Sequence, residues 1–267
     1  MKIIRAQKII LVAIVCLFVF SSYVRAVVNE EQVKFDVSSI ALFKNILRNI
    51  SEWPVILTYR VKPIGKYIYQ DYYYDTPDMT LFRLGYSYRF RIRDKGKENI
   101  EYGLQFKSEY DPGNNESFKR LEIDNVIPDN MAQEIMSGKW LEAVSDKYDI
   151  HVIKEFLDFL NNNGIPPNAL SPVLHADQKR DRFSLKENGM LHFEISLDEC
   201  VFSLINDTEK KQYEFSQLEF ENKYRKGIPS EDQKRIDDLI GYFTQSYNVS
   251  IARNSKYKTA ILELTKR

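Results

Sequence analysis

Three arginines stand at alternate positions in the segment 86–94, and this spacing could serve phosphate chemistry. On a β-strand, residues two positions apart project from the same face, so Arg89, Arg91 and Arg93 form one basic row. Guanidinium groups bind phosphate oxygens in a bidentate manner. The row is therefore compatible with a solvent-exposed strand, a nucleic-acid surface, or one wall of a site for a small polyanion.

The overall charge argues against a nucleic-acid surface. The 267-residue chain has 38 basic and 38 acidic side chains, which gives a formal net charge of +0. Proteins that bind nucleic acid usually carry a basic excess over the whole domain. We therefore expect no nucleic-acid duplex as a partner, and we expect the cations to be matched locally by carboxylates in a compact site.

Four other segments alternate charged or polar residues with apolar ones in the same way. Their charged faces comprise Glu101, Gln105 and Lys107; Arg120, Glu122 and Asp124; Glu194, Ser196 and Asp198; and Gln217, Glu219, Glu221 and Lys223. For a single strand, a charged face turned to water is the simpler explanation. Across five strands, a solvent face would include more Thr, Ser and Asn. The rows of arginine and glutamate therefore indicate charges that face one another around an enclosed space.

These rows must be positioned by strands that flank a helical middle section. Turn-rich pieces separate predicted strands at 33–37, 67–74, 86–94, 100–108, 117–124, 173–186, 190–205, 212–224 and 258–264. Apolar periodicity predicts helices over 39–50 and 229–247 and a helical section over 129–162. No internal repeat and no clean boundary divides the chain, so a single domain is expected.

The N-terminus has the order of a secretory signal peptide. Lys2, Arg5 and Lys8 precede an apolar run over 9–20, and Val24 and Ala26 are placed for cleavage after Ala26. The run is short for a membrane-spanning helix, which needs about 20 residues. We therefore expect residues 1–26 to be removed and the remaining chain to be exported to the periplasm or secreted, without a stable membrane span. An uncleaved N-terminal membrane anchor is the alternative.

The order of the motifs resembles that of the CYTH family, the triphosphate tunnel metalloenzymes. That family opens with an E-x-E-x-K strand, and "EEQVK" at 30–34 corresponds to it with Gln32 replacing the second glutamate. Tyr74-Asp75-Thr76 resembles the tyrosine–aspartate–threonine turn of the family, and "GYSYRFR" at 85–91 resembles the G-x-x-L-R-x-R segment that follows it, with Tyr88 in place of leucine. The segments "LQFK", "KRLEID", "QKRDRF", "LDE", "QLEFEN" and "SKYKTAI" then follow in family order.

The resemblance implies a fold that agrees with the alternation. It implies an α+β protein built on a closed antiparallel eight-stranded β-barrel, a tunnel with a polar, charged interior, flanked by helices. The apolar strand faces then turn outward beneath the helices. Residues 27–267 are expected to form this one CYTH-like domain.

The resemblance also implies roles for individual residues. Substrate phosphates would be bound by Lys34, Arg89, Arg91, Lys107, Arg120, Arg180 and Lys256, with Arg93 and Arg182 in supporting positions. A hard divalent cation, Mg²⁺ or Mn²⁺, would be held by Glu30, Glu219 and Glu221, supported by Gln32, Glu122 and Asp198. Plain cross-strand ion pairing remains the alternative explanation for these carboxylates. No catalytic residue is identified by the motifs.

The function implied is that of an exported, metal-dependent phosphohydrolase. Its substrate would be inorganic triphosphate, polyphosphate or another triphosphate-containing compound, and export favours the inorganic chains. Gln32 removes one negative charge from the metal site, which supports a second hypothesis: a non-catalytic module that binds triphosphate or polyphosphate. A nucleotide cyclase or a polyphosphate polymerase of the same family is a third possibility.

Overall fold

A computed structural model describes residues 28–96, 99–108, 118–140, 148–223 and 230–266; in 28–31, 118–121 and 230–233 only the backbone is described. The predicted signal peptide, residues 1–26, lies outside this part of the chain. The described strands are β1 (Val28–Val37), β2 (Val55–Ile56), β3 (Tyr59–Asp75), β4 (Tyr86–Asp94), β5 (Ile100–Ser108), β6 (Phe118–Ile127), β7 (Ser171–Glu187), β8 (Met190–Leu204), β9 (Gln212–Asn222) and β10 (Ser250–Ile251). The described helices are α1 (Ile40–Glu52), α2 (Thr80–Arg83), α3 (Asp129–Met136), α4 (His151–Asn162), α5 (Ser230–Tyr247) and α6 (Lys256–Leu264), with a 3₁₀ turn at Pro167–Ala169.

All ten described strands belong to one antiparallel sheet. Its order is β10-β1-β6-β5-β4-β3-β7-β8-β9, and β2 pairs with β3. The first strand has two long neighbours: β1 pairs with β6 through Val28–Gln32 and with β9 through Gln32–Val37. The predicted mixed fold of a large antiparallel sheet with helices is therefore confirmed.

Helices cover the apolar strand faces. α1 and α5 pack on one side of the sheet, where Phe35, Phe43 and Phe243 belong to one buried cluster. α3 and α4 pack on another side, where Tyr88 stacks on Phe156 of α4 with ring centroids 3.8 Å apart. Tyr88 and Phe90 are fully buried there. The predicted outward packing of the apolar faces thus follows from the alternation, because their partners Arg89 and Arg91 must then point to the opposite face.

The last predicted strand, 258–264, is wrong, because these residues form the helix α6. The Ser255 side chain caps this helix by accepting a hydrogen bond from the Lys258 N–H at 3.1 Å. Tyr257, Ile261 and Leu264 follow helical spacing and are all buried in one apolar cluster. A short apolar segment does not distinguish strand from helix by pattern alone, and here the cap decides.

The predicted helical section over 129–162 contains two separate described helices, α3 and α4. α3 is followed by Gly138 at φ 83°, a left-handed conformation that glycine adopts without steric penalty. Among the described residues, no helix is both long and apolar enough to cross a membrane.

Candidate anion-binding site

The inward faces of the strands line a cavity of about 350 Å³. Ten basic and five acidic side chains line it, so the wall carries an excess of positive charge. The predicted substrate-binding residues found in this wall are Lys34, Arg89, Arg91, Arg93, Lys107, Arg180, Arg182 and Lys256. The predicted metal-binding residues found there are Gln32, Glu122, Glu219 and Glu221. The structure therefore brings together side chains that lie far apart in the sequence.

Two predicted residues have side chains outside the described part of the structure. Only the backbones of Glu30 and Arg120 are described, and they are paired with each other between β1 and β6. Asp198 is described but does not line the cavity, since it lies completely buried behind it.

Asp198 and Glu219 hold the basic side chains of one wall. Arg180 donates to Asp198 through two nitrogens at 2.6 Å and to Glu219 at 2.7 Å. Lys256 forms ion pairs with both carboxylates, at 2.9 Å in the case of Glu219. Lys34 lies 3.2 Å from Glu219. Three cations thus share two carboxylates, and the cluster keeps a net positive charge.

Ionisation of this cluster is strongly favoured despite its burial. Burial opposes the charged form of Asp198, but Arg180 and Lys256 outweigh it and lower the pKa of the carboxyl. Burial likewise opposes ionisation of Glu219, and Lys256, Lys34 and Arg180 hold its pKa well below the usual range. For Lys256, burial acts to lower the pKa, but Asp198 and Glu219 raise it. All three groups are therefore charged at neutral pH.

A third carboxylate, Asp71, holds the arginines of the opposite wall. Arg91 donates to its two oxygens at 2.6 Å each, and Arg89 donates to it at 2.9 Å. Arg89 also donates to Gln105 at 2.5 Å and to the Tyr73 hydroxyl at 2.9 Å. These contacts fix both guanidinium planes before any ligand binds, which reduces the entropy lost on binding.

One aromatic ring contacts guanidinium groups from both walls. The ring centroid of Tyr69 lies 4.2 Å from the Arg91 guanidinium carbon, 5.5 Å from that of Arg93 and 5.7 Å from that of Arg180. Such cation–π contacts stabilise desolvated cations without neutralising them. Tyr69 therefore stabilises the arginines and leaves the positive charge of the cavity unchanged, whereas a carboxylate in its place would neutralise part of that charge.

Comparison with known proteins identifies the family. The sequence model described as the CYTH domain matches residues 39–234. The chain belongs to the CYTH domain family. No curated protein matches the sequence at a significant level.

Solved structures show the same CYTH fold at low sequence identity. A Hippeastrum protein, named as a candidate adenylyl cyclase and described as having a dominant triphosphatase activity, is similar with a TM-score of 0.61 and 14% identity over 89% of this chain and 100% of its own. A candidate adenylate cyclase from Bacillus halodurans has a TM-score of 0.52 and 16% identity over 90% of this chain and 100% of its own. At these identities the likeness shows the fold alone.

The tyrosine–aspartate–threonine turn of this CYTH chain fixes the helix that carries Lys256. Asp75, at the end of β3, accepts hydrogen bonds from the N–H groups of Thr76 at 2.7 Å, Leu81 at 2.8 Å and Phe82 at 2.9 Å. It also accepts one from the Tyr257 hydroxyl of α6 at 3.1 Å. Asp75 is completely buried, so this motif residue joins α2 to α6 rather than lining the cavity.

Replacing Asp75 with alanine is expected to lower the free energy of unfolding by about 3 kcal/mol or more, because several buried N–H groups lose their acceptor. Tyr257→Phe is the matched control, since it removes one hydrogen bond and is expected to cost about 1 kcal/mol. Urea unfolding followed by circular dichroism measures both. Equal losses in the two variants would contradict the role of Asp75 as a shared acceptor.

Side chains of β1 and β9 offer the kind of oxygen ligands that bind a hard divalent cation. Glu219 and Glu221 lie two positions apart on β9, and Gln32 of β1 is paired with Glu221. All three line the cavity and offer oxygen atoms, which Mg²⁺ and Mn²⁺ prefer. Among the described side chains, however, no three His, Cys, Asp or Glu residues are grouped closely enough to hold a metal. Glu219 is instead surrounded by three cations, so cross-strand ion pairing accounts for its present contacts.

Sequence reasoning missed Asp71, Tyr69 and Gln178. Tyr69 and Gln178 line the cavity, and Asp71 lies buried behind it. β3 reads "YIYQDYYYD" over 67–75, with aromatic residues on both faces, so alternation does not separate an inner from an outer face. The pairing of Asp71 with Arg91 between β3 and β4 identifies the inner face of β3. This pairing depends on the length of the connecting turn, which the sequence does not fix. Gln178 is a neutral residue in a basic strand and carries no charge signal.

Proposed function

We propose that this protein is a divalent-metal-dependent hydrolase that acts on inorganic triphosphate or polyphosphate, or on another triphosphate-containing substrate. The observation that carries the proposal is the basic cavity whose arginines are held in place from behind by the buried carboxylates Asp71 and Asp198. A linear triphosphate carries several negative charges in a row, and a wall of preorganised guanidinium and ammonium groups matches that pattern. The triphosphatase activity described for the Hippeastrum relative is consistent with it.

The proposal includes a closed eight-stranded tunnel. It is supported by the two pairings of β1, which contacts β6 at one end of its length and β9 at the other. The remaining pairings run from β6 through β5, β4, β3, β7 and β8 to β9. Closure removes free sheet edges and encloses the inward side chains, which is consistent with their burial.

In the proposed reaction, Arg89, Arg91 and Lys107 bind phosphate oxygens from one wall and Lys34, Arg180 and Lys256 from the other. Arg120 is proposed to take part from β6. Glu219 and Glu221, with Glu30 and the amide oxygen of Gln32, are the residues that would hold Mg²⁺ or Mn²⁺; Glu122 and Asp198 support them through the lysines and arginine they pair with. When bound, the cation supplies charge neutralisation at the phosphoryl group under attack.

The basic side chains of the two walls contribute to the proposed reaction in two ways that do not involve the cation. They hold the chain in line for attack by water, and they stabilise the negative charge that develops on the leaving phosphate oxygen. Since Asp71 and Asp198 fix the guanidinium groups, little reorganisation is needed when the substrate arrives. The buried position of these side chains also excludes bulk water from the bound phosphates. Each electrostatic contact is stronger as a result, because the local dielectric constant is lower.

Phosphate release from tripolyphosphate tests the proposal. The mature domain, with Mg²⁺ or Mn²⁺, is expected to release orthophosphate, and Glu219→Gln is expected to reduce the rate by about 100-fold or more because a metal ligand loses its charge. Glu214→Gln is the matched control: Glu214 lies on the same strand but is exposed and outside the cavity, so its rate should be unchanged.

A binding module without catalysis is the second candidate. It is favoured by Gln32, which replaces a charged ligand, and by the three cations that already surround Glu219. Tight binding of tripolyphosphate without turnover, unchanged when metal is removed, would support this candidate and exclude the hydrolase. Export of the protein, with cleavage after Ala26, remains part of the proposal, and N-terminal sequencing of the protein from its native cell tests it.

A further inference from the structure

We propose that the Lys223 ammonium group competes with the divalent cation for Glu221, so that Mg²⁺ or Mn²⁺ must displace this lysine in order to bind there. The inference rests on the proposed function, because Glu221 is one of the residues proposed to hold the metal. It assigns a role to a lysine that stands outside the predicted site residues. Lys223 would set how much metal the site needs.

The position of Lys223 follows from the alternation along β9. Lys223 comes directly after this strand, and its N–H donates to the carbonyl oxygen of His192 at 3.0 Å, so the contact with β8 continues by one residue. Residues two positions apart lie on the same face of a strand. Glu219, Glu221 and Lys223 accordingly all line the cavity. The lysine is therefore on the same face as two carboxylates of the proposed metal site.

Glu221 lies directly opposite another carboxylate. In the pairing of β8 with β9 its partner is Glu194, which also lines the cavity. Like charges that face each other on neighbouring strands destabilise the sheet. A cation in contact with both carboxylates removes this repulsion. The pair therefore calls for a cation, and either a metal ion or an ammonium group can provide it.

Lys223 provides this cation within the chain itself. Its ammonium group forms an ion pair with Glu221, and its Nζ atom lies 3.8 Å from Oε2 of Glu194. Among the described side chains, no other cation forms an ion pair with Glu221. Glu194 is held in addition by Arg182, through two nitrogens at 2.5 and 2.8 Å. Two carboxylates and two cations thus form a neutral group.

A divalent cation and Lys223 exclude each other at this place. Gln32, the partner of Glu221 on β1, is neutral and adds no attraction for a metal. A divalent ion added to the neutral group would leave two positive charges in excess, so the ammonium group must move away when the ion binds. Both are hard cations that bind carboxylate oxygens, which makes the exchange chemically direct.

Lys223 is able to move. Its side chain is 26% exposed, whereas that of Lys34 in the same cavity is 4% exposed. A lysine has a flexible four-carbon stem, and partly exposed ion pairs are weak, so a metal ion at sufficient concentration can replace the ammonium group. The released ammonium group stays at the cavity wall, where it can contact a phosphate oxygen. The exchange therefore leaves the lysine available to the anionic ligand.

Titration of the mature protein with Mn²⁺ in the absence of phosphate tests the competition. Electron paramagnetic resonance measures the Mn²⁺ that remains free. Lys223→Met removes the charge and is expected to bind Mn²⁺ about tenfold more tightly than the unaltered protein. Lys223→Arg keeps the charge and should bind as weakly as the unaltered protein. Thermal unfolding checks that each variant is folded.

Lys95→Met is the matched control. Lys95 lines the same cavity and is also 26% exposed, but it pairs with Glu101, which is not among the proposed metal ligands. Its removal lowers the charge of the cavity by the same amount, and we expect a gain in Mn²⁺ affinity of about twofold or less. Equal gains from the two methionine variants would overturn the proposal, because the effect would then be one of overall charge.

A double variant tests whether Lys223 acts through Glu221. In protein that carries Glu221→Gln, the further change Lys223→Met should leave the Mn²⁺ affinity nearly unchanged, since no carboxylate is released. A Lys223→Met variant that binds Mn²⁺ no better than the unaltered protein would also overturn the proposal. Because no phosphate compound is present, these outcomes do not depend on whether the protein hydrolyses tripolyphosphate.

Discussion

Replacing Asp198 with asparagine is expected to lower the free energy of unfolding by about 3–5 kcal/mol, although the side chain keeps its shape. Asp198 is fully buried and pairs with Arg180 and Lys256, so the variant leaves these two cations with Glu219 as their remaining described carboxylate. Lys34, Arg180 and Lys256 then share one carboxylate, and water cannot stabilise the excess positive charge in a buried site. Urea unfolding at neutral pH measures the loss.

The same variant is expected to respond more strongly to anions than the wild type does. Tripolyphosphate supplies the missing negative charge, so it should raise the melting temperature of Asp198→Asn by more than that of the unaltered protein. Asp181→Asn is the matched control, because Asp181 pairs with a lysine whose side chain is 83% exposed and such pairs contribute about 0–1 kcal/mol. A loss below about 1 kcal/mol for Asp198→Asn would contradict the buried network.

The stability of the protein is expected to fall as the pH is lowered through the range from about 4 to about 2, and Asp71 is expected to account for about 2 kcal/mol of the fall. Burial opposes its ionisation, but Arg89 and Arg91 outweigh burial and lower its pKa to about 2. The unfolded chain therefore binds a proton at higher pH than the folded one. The contribution is present above the unfolded pKa and is lost as the folded carboxylate becomes protonated.

Asp71→Asn is expected to remove this part of the pH dependence, so that the difference in stability between the two proteins narrows from pH 5 to pH 2. Urea unfolding at several pH values measures it. Asp177→Asn is the control, since Asp177 lies on the neighbouring strand with a side chain that is 57% exposed. A difference that stayed constant down to pH 2 would show that Asp71 acts through its shape and not through its charge.

Much of the fold could be predicted because charged and apolar residues alternate along the strands, and this alternation indicates which residues lie on each face. Arg89 and Arg91 face the cavity and Tyr88 and Phe90 face α4, as the period of two requires. The order of the family motifs added the arrangement of the walls, and the CYTH match over 39–234 confirmed the family.

The parts that could not be predicted depend on tertiary contacts. A short segment with apolar residues at 257, 260, 261 and 264 is compatible with a strand or a helix, and only the cap at Ser255 and the packing of Tyr257 on Tyr73 decide. The sequence also does not reveal which carboxylates pair with the arginines. Asp71 faces Arg91 because of a register between β3 and β4, and a shift of one residue would have placed Gln70 or Tyr72 there.

The double pairing of β1 has a consequence for the way the chain folds. The side chains of Asp36 and Gln217 form a hydrogen bond although they are 181 residues apart, and β1 cannot acquire its second neighbour until β9 is available. Contacts of this range are slow to form, so we expect folding in milliseconds to seconds rather than microseconds. During that interval β1 has an open hydrogen-bonding edge that can pair with another chain. The strand that begins the basic wall is thus also the point at which aggregation competes with folding.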